Sequence, residues 1–147
     1  MTGTRHSAAR QLALQVLTQR MSSAPAGTAL AAAARSTYDD LAHVCFPLIG
    51  QVGLEALTAR ALHLAQKEHA WLLDAGEPKQ ANQPFARVLE RSAQQVPAHA
   101  TEGVAAVLAM LVGLLVTFIG ERLTAKMTQK AWPEAVSNVH DVHEEEM

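Results

Sequence analysis

GVAAVLAMLVGLLVTFIG, at residues 103–120, is a run of eighteen residues without a charged side chain. As an α-helix it would rise about 27 Å, slightly less than the ~30 Å hydrocarbon core of a bilayer. The run therefore fits two structures, a single membrane span and a helix buried at the centre of a soluble bundle. The flanking residues and the rest of the chain are needed to decide between the two.

The residues that follow the run keep its helical apolar period but become amphipathic. Leu123 and Met127 continue the apolar spacing, while Glu121, Arg122 and Lys126 introduce charge. Membrane spans are commonly bounded by Trp or Tyr at both interfaces, and neither residue type lies next to the run at either end. The flanks therefore favour a helix that continues within a soluble fold.

The composition of the chain predicts helix nearly everywhere. Hydrophobic residues make up 49% of the sequence but aromatic residues only 4%, so alanine and leucine supply most of the apolar content. Both favour helix, whereas β-branched and aromatic residues favour strands. No stretch alternates between apolar and polar side chains as a half-buried strand does. The predicted fold is an all-α bundle of about five helices, with the long, very hydrophobic C-terminal helix at its centre.

Capping residues, prolines and glycines indicate where the helices begin and end. Pro47 interrupts the second helix, because a proline inside a helix loses a hydrogen bond and clashes with the preceding turn. The chain is therefore expected to turn a corner at residues 46–53, which also hold Gly50 and Gly53. The predicted helices are residues 8–21 after a Ser7 cap, Thr28 to Phe46, Gly53 to Leu73, Pro84 (after Asn82) to before Pro97, and Glu102 to Ala131 after a Thr101 cap.

The other predicted helices are amphipathic, so each needs an apolar partner for its buried face. A helix that is apolar all round is the natural centre of such a bundle. Residues 1–133 are therefore expected to form one helical domain, with 1–7 as a flexible N-terminus and 134–147 as an acidic, flexible tail. The expected location is the cytoplasm. In the alternative, the run at 103–120 anchors the protein in the inner membrane, and the basic residues after it place the C-terminus in the cytoplasm.

Charge and cysteine content narrow the possible functions. The net charge is −2 and charged residues are 18% of the chain, against a typical ~25%. No nucleic-acid partner is expected from this balance, and apolar surface is available for association. Cys45 is the only cysteine, which excludes an intrachain disulfide, and its apolar neighbours predict a buried, inert thiol. No motif for a cofactor, a phosphate group or a catalytic nucleophile occurs, so no cofactor is expected.

Small residues recur at every fourth position of the apolar run. Ala105, Ala109, Gly113 and Thr117 form a stripe on one helix face, and Glu121 extends it at the rim. A stripe of small residues lets a second helix approach closely, both in membranes and in soluble bundles. This helix-packing groove is where we expect a partner helix to bind.

Two groups of acidic and histidine residues are candidate metal sites. Asp40 and His43 share one face of a helix, and Glu68 could join them in the way that helical bundles assemble metal sites, although such sites use two acid–histidine pairs. His140 and His143 lie three residues apart in the acidic tail, a spacing that suits a metal ion. Ordinary solvated surface is the competing interpretation of both groups, because ordering the tail would cost conformational entropy.

The sequence as a whole predicts a non-enzymatic helical interaction or adaptor protein that self-associates through apolar helix faces as a homodimer or binds another helical protein. A heptad-like seam from Leu30 to Leu48 supports this prediction, because such seams pack along other helices. Two alternatives stay open, a small membrane protein anchored by residues 103–120 and a metal-dependent bundle enzyme that uses Asp40, His43 and Glu68. No residue pattern specifies a small-molecule ligand.

Overall fold

The structure, a computed structural model, describes residues 2–22, 29–72 and 84–133. These segments are helical apart from short turns and contain no strand, which confirms the predicted all-α class. They form five α-helices in chain order, which are α1 (Thr2–Ser22), α2 (Ala29–Ala65), α3 (Pro84–Ser92), α4 (Pro97–Ile119) and α5 (Glu121–Ala131).

Helix α4 lies at the centre of the bundle, because it contacts each of the other four helices. Residues 103–109 are buried without interruption, and Val104, Leu108 and Leu111 are completely enclosed. Burying an aliphatic side chain of this size stabilises a fold by roughly 1.5–3 kcal/mol. The prediction that the apolar run forms the central helix is therefore confirmed.

Helix α2 is folded back on itself at Gly50. Tyr38 and Thr58 are twenty residues apart, which corresponds to about 30 Å along a straight helix. Their hydroxyl oxygens nevertheless lie 2.9 Å apart, so the first arm (29–49) and the second arm (51–65) form a hairpin. Gly50 makes the turn with φ 75° and ψ 168°, a region that glycine enters at little cost. The predicted corner at 46–53 is confirmed, but the predicted end of the helix at Phe46 is wrong, because Pro47 lies inside the first arm and the break falls at Gly50.

A second glycine interrupts the C-terminal apolar helix. Gly120 has φ 97° and ψ 158°, close to the values at Gly50, and it separates α4 from α5. The predicted continuous helix from Glu102 to Ala131 is therefore wrong. A glycine inside a periodic apolar pattern is often tolerated within a helix, so the pattern on either side of Gly120 hides the break.

The predicted cap of this helix is also wrong, because α4 begins at Pro97 rather than after Thr101. The Thr101 hydroxyl donates a hydrogen bond to the Pro97 carbonyl oxygen at 2.9 Å, one turn inside the helix. Proline suits the first helical position because the N–H group that it lacks would have no partner there.

Two further helix bounds differ from the prediction. Helix α1 begins at Thr2, so Ser7 lies inside the helix instead of capping it. The second arm of α2 ends at Ala65 rather than at Leu73, because the chain turns there and the Gln66 side chain donates to the Leu72 carbonyl oxygen at 3.1 Å. The start signals at 28 and 82, and the tail from 134 to 147, lie outside the described residues.

Helix α5 is held against the first arm of α2 by the tryptophan that follows it. Trp132 is completely buried, and its Nε1 donates a hydrogen bond to the Thr37 carbonyl oxygen at 2.9 Å. Arg20 of α1 donates to the neighbouring Ala131 carbonyl oxygen at 3.3 Å. The end of α5 is therefore fixed to both α1 and α2.

Gly120→Ala is expected to lower the free energy of unfolding by about 1–2 kcal/mol. Apart from its chain neighbours, no heavy atom lies within 4 Å of the position that a Cβ would take, so the cost comes from the backbone conformation, φ 97° with ψ 158°, where a Cβ crowds the preceding carbonyl group and glycine is essentially the only residue found. Urea denaturation would measure the change. Gly53→Ala is the matched control, because Gly53 has an ordinary helical backbone and a Cβ there makes only van der Waals contact with Ile49. Equal losses in the two variants would contradict this explanation.

Candidate interaction surface

The C-terminal third of α4 is the part of the apolar run that the described residues leave partly uncovered. Residues 103–112 are buried except for Met110, whereas residues 113–119 are half-buried or exposed except for Leu115. Phe118 is 65% exposed. The central helix is thus enclosed at one end and open at the other.

This pattern divides the predicted small-residue groove into a filled part and an open part. Ala105 and Ala109 are buried in the bundle, Gly113 is half-buried and Thr117 is exposed. Glu121 is exposed and lies at the start of α5, beyond the Gly120 bend, so it does not extend the stripe along α4. Only the part around Gly113 and Thr117 remains available to a second helix.

Gly113 is the point on this surface where another backbone could approach most closely. A Cβ at Gly113 would meet no heavy atom within 4 Å. The Thr117 hydroxyl donates to the Gly113 carbonyl oxygen at 3.2 Å, so its polar group is satisfied within the helix. Met110, Leu114 and Phe118 follow one another at a spacing of four beside this opening, which places them in one row along the helix. The surface is therefore apolar, and Gly113 is the position at which no side chain projects from it.

A second group of exposed apolar side chains surrounds the bend of α2. Phe46 is 45% exposed, Leu48 is 53% exposed and Val52 is 81% exposed. Their sequence signal is the apolar stretch on both sides of the predicted corner. Contiguous apolar surface on a soluble protein commonly marks an interaction site.

The two carboxylates among the metal candidates of the described segments form ion pairs with arginines. Asp40 accepts a hydrogen bond from Arg20 Nη1 at 2.8 Å, and Glu68 accepts one from Arg10 Nη2 at 2.7 Å. His43 is exposed. Among residues 2–22, 29–72 and 84–133, no group of three or more His, Cys, Asp or Glu residues could hold a metal ion. The two tail histidines lie outside these segments.

Cys45 is buried in the core between the helices. Burial raises the pKa of its thiol to about 11, because a thiolate is disfavoured away from water. The thiol is therefore protonated at neutral pH, and the nucleophilic form is the thiolate.

The fold also creates a cleft of about 240 Å³ between the two arms of α2 and α3. The Tyr38 ring stacks on Phe85 with ring centroids 4.4 Å apart and an interplanar angle of 8°. Burial raises the pKa of Tyr38, the Thr58 hydroxyl lowers it through a hydrogen bond, and the charges of Glu55 and Asp39 raise it further. Sequence reasoning missed this cleft, because its residues come together only when α2 folds back.

Within residues 2–22, 29–72 and 84–133, two helices are long and apolar enough to cross a membrane by length and composition alone, namely α2 and α4. In the most apolar window of α4, 56% of the residues are buried, and in that of α2, 28% are buried. The core helix of a soluble protein also passes this test. The finding is therefore only weak support for membrane association.

Comparison with known proteins identifies no relative. No family model, curated protein or solved structure matches the chain. The fold defines a helical bundle with an incompletely covered central helix, and the surfaces of that bundle are the basis on which its function can be inferred.

Proposed function

We propose that the protein is a non-enzymatic helical interaction protein of the cytoplasm that forms a homodimer through the C-terminal third of α4. The main support is that the described residues leave this part of the apolar run only partly covered, with Phe118 65% exposed and open space at Gly113. Removing apolar surface from water stabilises an association by about 25 cal/mol per Å² before the costs of binding.

A second copy of α4 fits this surface better than an arbitrary helix. Two identical helices that cross at Gly113 about a two-fold axis place glycine against glycine, which permits the closest approach of the backbones. Leu114 and Phe118 of each copy then flank the crossing. The run holds no charged residue, so the crossing does not bring like charges together. Like charges in contact would oppose self-association.

Gly113→Leu is expected to weaken dimerisation by roughly 5- to 150-fold, because an overpacked contact costs about 1–3 kcal/mol. The same change should leave the monomer folded. The added side chain starts in open space, and leucine favours a helix over glycine by about 0.8 kcal/mol. Sedimentation equilibrium would measure the dissociation constant, and circular dichroism would confirm that the helices are retained.

Ala31→Leu is the control for this experiment. Ala31 is exposed on the first arm of α2, on a different helix from the proposed crossing. Its leucine variant should dimerise as the wild type does. A wild-type chain that stays monomeric at high concentration, or a Gly113→Leu chain that dimerises as tightly as the control, would contradict the proposed dimer.

A second candidate is a small protein anchored in the inner membrane by α4, with its C-terminus in the cytoplasm. The length and apolar character of α4 support it. Cell fractionation separates the two candidates. Recovery of the full chain in the soluble fraction without detergent supports the cytoplasmic dimer, whereas recovery only after detergent extraction supports the anchor.

A further inference from the structure

The cleft between the arms of α2 and α3 has an apolar floor with room for a small organic molecule. Leu54 and Phe85 form buried parts of its wall, and Phe46 lines it while remaining 45% exposed. Its volume is about 240 Å³, slightly below the ~300–1,000 Å³ of typical small-molecule pockets. The cleft is therefore large enough for a single aromatic ring with a short substituent.

Two carboxylates from different arms of α2 line the same cleft. Asp39 comes from the first arm and Glu55 from the second. The Gln51 side chain donates to Glu55 Oε2 at 3.1 Å and so restrains that carboxylate. Arg35 is the cationic side chain among the described lining residues, and it lies one helical turn before Asp39.

The charges of the two carboxylates reach the interior of the cleft. Both raise the pKa of the Tyr38 hydroxyl, after the larger effects of burial, which also raises it, and of the Thr58 hydrogen bond, which lowers it. The described lining residues hold two carboxylates and one guanidinium, so their net charge is negative, and an aromatic face such as that of Phe46 also attracts cations.

We propose that this cleft binds a small organic cation, an amine or a quaternary ammonium group carried on an apolar or aromatic body. The body packs against Phe46 and Leu54, and the cationic group lies between Asp39 and Glu55. A carboxylate partner supplies the opposite charge, and the apolar wall excludes water from the body of the ligand. The site is independent of the α4 surface proposed for dimerisation.

Titration by two-dimensional NMR tests this proposal with three probes of similar size, which are benzyltrimethylammonium, neutral benzyl alcohol and anionic phenylacetate. The cation is expected to bind with a Kd on the order of 1 mM, as befits a ligand of this size, and to shift resonances of the cleft residues. Phenylacetate is expected to bind more weakly than either of the other probes. The Gly113→Leu chain should give the same result, so failure of the dimer proposal would not affect this one.

Glu55→Gln is the decisive variant, because its amide oxygen can still accept the bond from Gln51 while the charge is removed. The affinity for the cation should fall about three- to tenfold, with benzyl alcohol unaffected. Glu102→Gln, at an exposed carboxylate of α4 outside the cleft, is the matched control and should change neither. Asp39→Asn repeats the test at an exposed position that folding does not depend on.

Three results would overturn the proposal. They are the absence of resonance shifts with the cation at millimolar concentration, binding of phenylacetate as tight as that of the cation, and unchanged cation affinity in both Glu55→Gln and Asp39→Asn. A preference for phenylacetate that is lost in Arg35→Gln would instead identify an anion site.

Discussion

Trp132→Ala is expected to lower the free energy of unfolding by about 3–5 kcal/mol, the usual cost of truncating a buried tryptophan. The side chain is completely enclosed between α5 and the first arm of α2, and the substitution removes its hydrogen bond to the Thr37 carbonyl oxygen. A domain of this size is stable by only about 5–15 kcal/mol. Urea denaturation followed by circular dichroism would measure the loss.

Trp132→Phe separates the packing of the ring from its hydrogen bond. Phenylalanine retains most of the buried aromatic surface but cannot donate to Thr37, so the expected loss is about 0.5–1.5 kcal/mol from the hydrogen bond with a smaller contribution from volume. A loss in Trp132→Ala no greater than in Trp132→Phe would show that α5 is not packed on α2 through this residue.

Leu111→Lys is expected to have an effect of similar size, about 3–5 kcal/mol, because it places a charge without a partner inside the bundle. Leu111 is completely buried at the middle of α4. An ammonium group there must either lose its proton or open the surrounding helices. Urea denaturation would measure the loss of stability, and far-UV circular dichroism would report any loss of helix.

Phe118→Lys is the control on the same helix. Phe118 lies seven residues later and is 65% exposed, so its lysine variant should change the stability of the monomer by no more than about 0.5 kcal/mol. It should, however, weaken dimerisation, because the side chain flanks the proposed crossing. Equal destabilisation of the monomer by the two lysines would mean that α4 is not enclosed at one end and open at the other.

The central position of α4 could be predicted from the sequence, because residues 104–112 are apolar on every face and only the middle of a bundle accommodates such a helix. A corner in α2 was also predicted, since Pro47, Gly50 and Gly53 lie close together, but the pairing of its two arms was not. The turn itself falls at Gly50, because the positive φ that reverses the chain is open to glycine.

The break at Gly120 could not be predicted from local pattern. Gly113 and Gly120 lie in the same apolar period, yet Gly113 stays inside a helix and Gly120 ends one. The difference is tertiary, because α5 turns away from the axis of α4 and Trp132 reaches Thr37 on α2. One consequence is that Glu121 leaves the predicted groove.

The candidate sites could likewise be predicted only as far as local sequence patterns reach, and the rest depends on how the helices pack. The spacing of the small residues predicted a groove, but only the packed bundle shows that Ala105 and Ala109 are buried while the space at Gly113 is open. The cleft had no sequence signal, because Asp39 and Glu55 meet only through the hairpin at Gly50.

The most direct test of the central claim, that two copies meet at Gly113, is disulfide formation by Gly113→Cys. A disulfide requires the two Cα atoms to lie about 4.4–6.8 Å apart, which a close crossing at this residue provides. Cys45 is buried and does not compete. Under mild oxidation Gly113→Cys is expected to become a covalent dimer, while Ala31→Cys remains largely monomeric. A Gly113→Cys chain that crosslinks no faster than Ala31→Cys would contradict the proposed crossing.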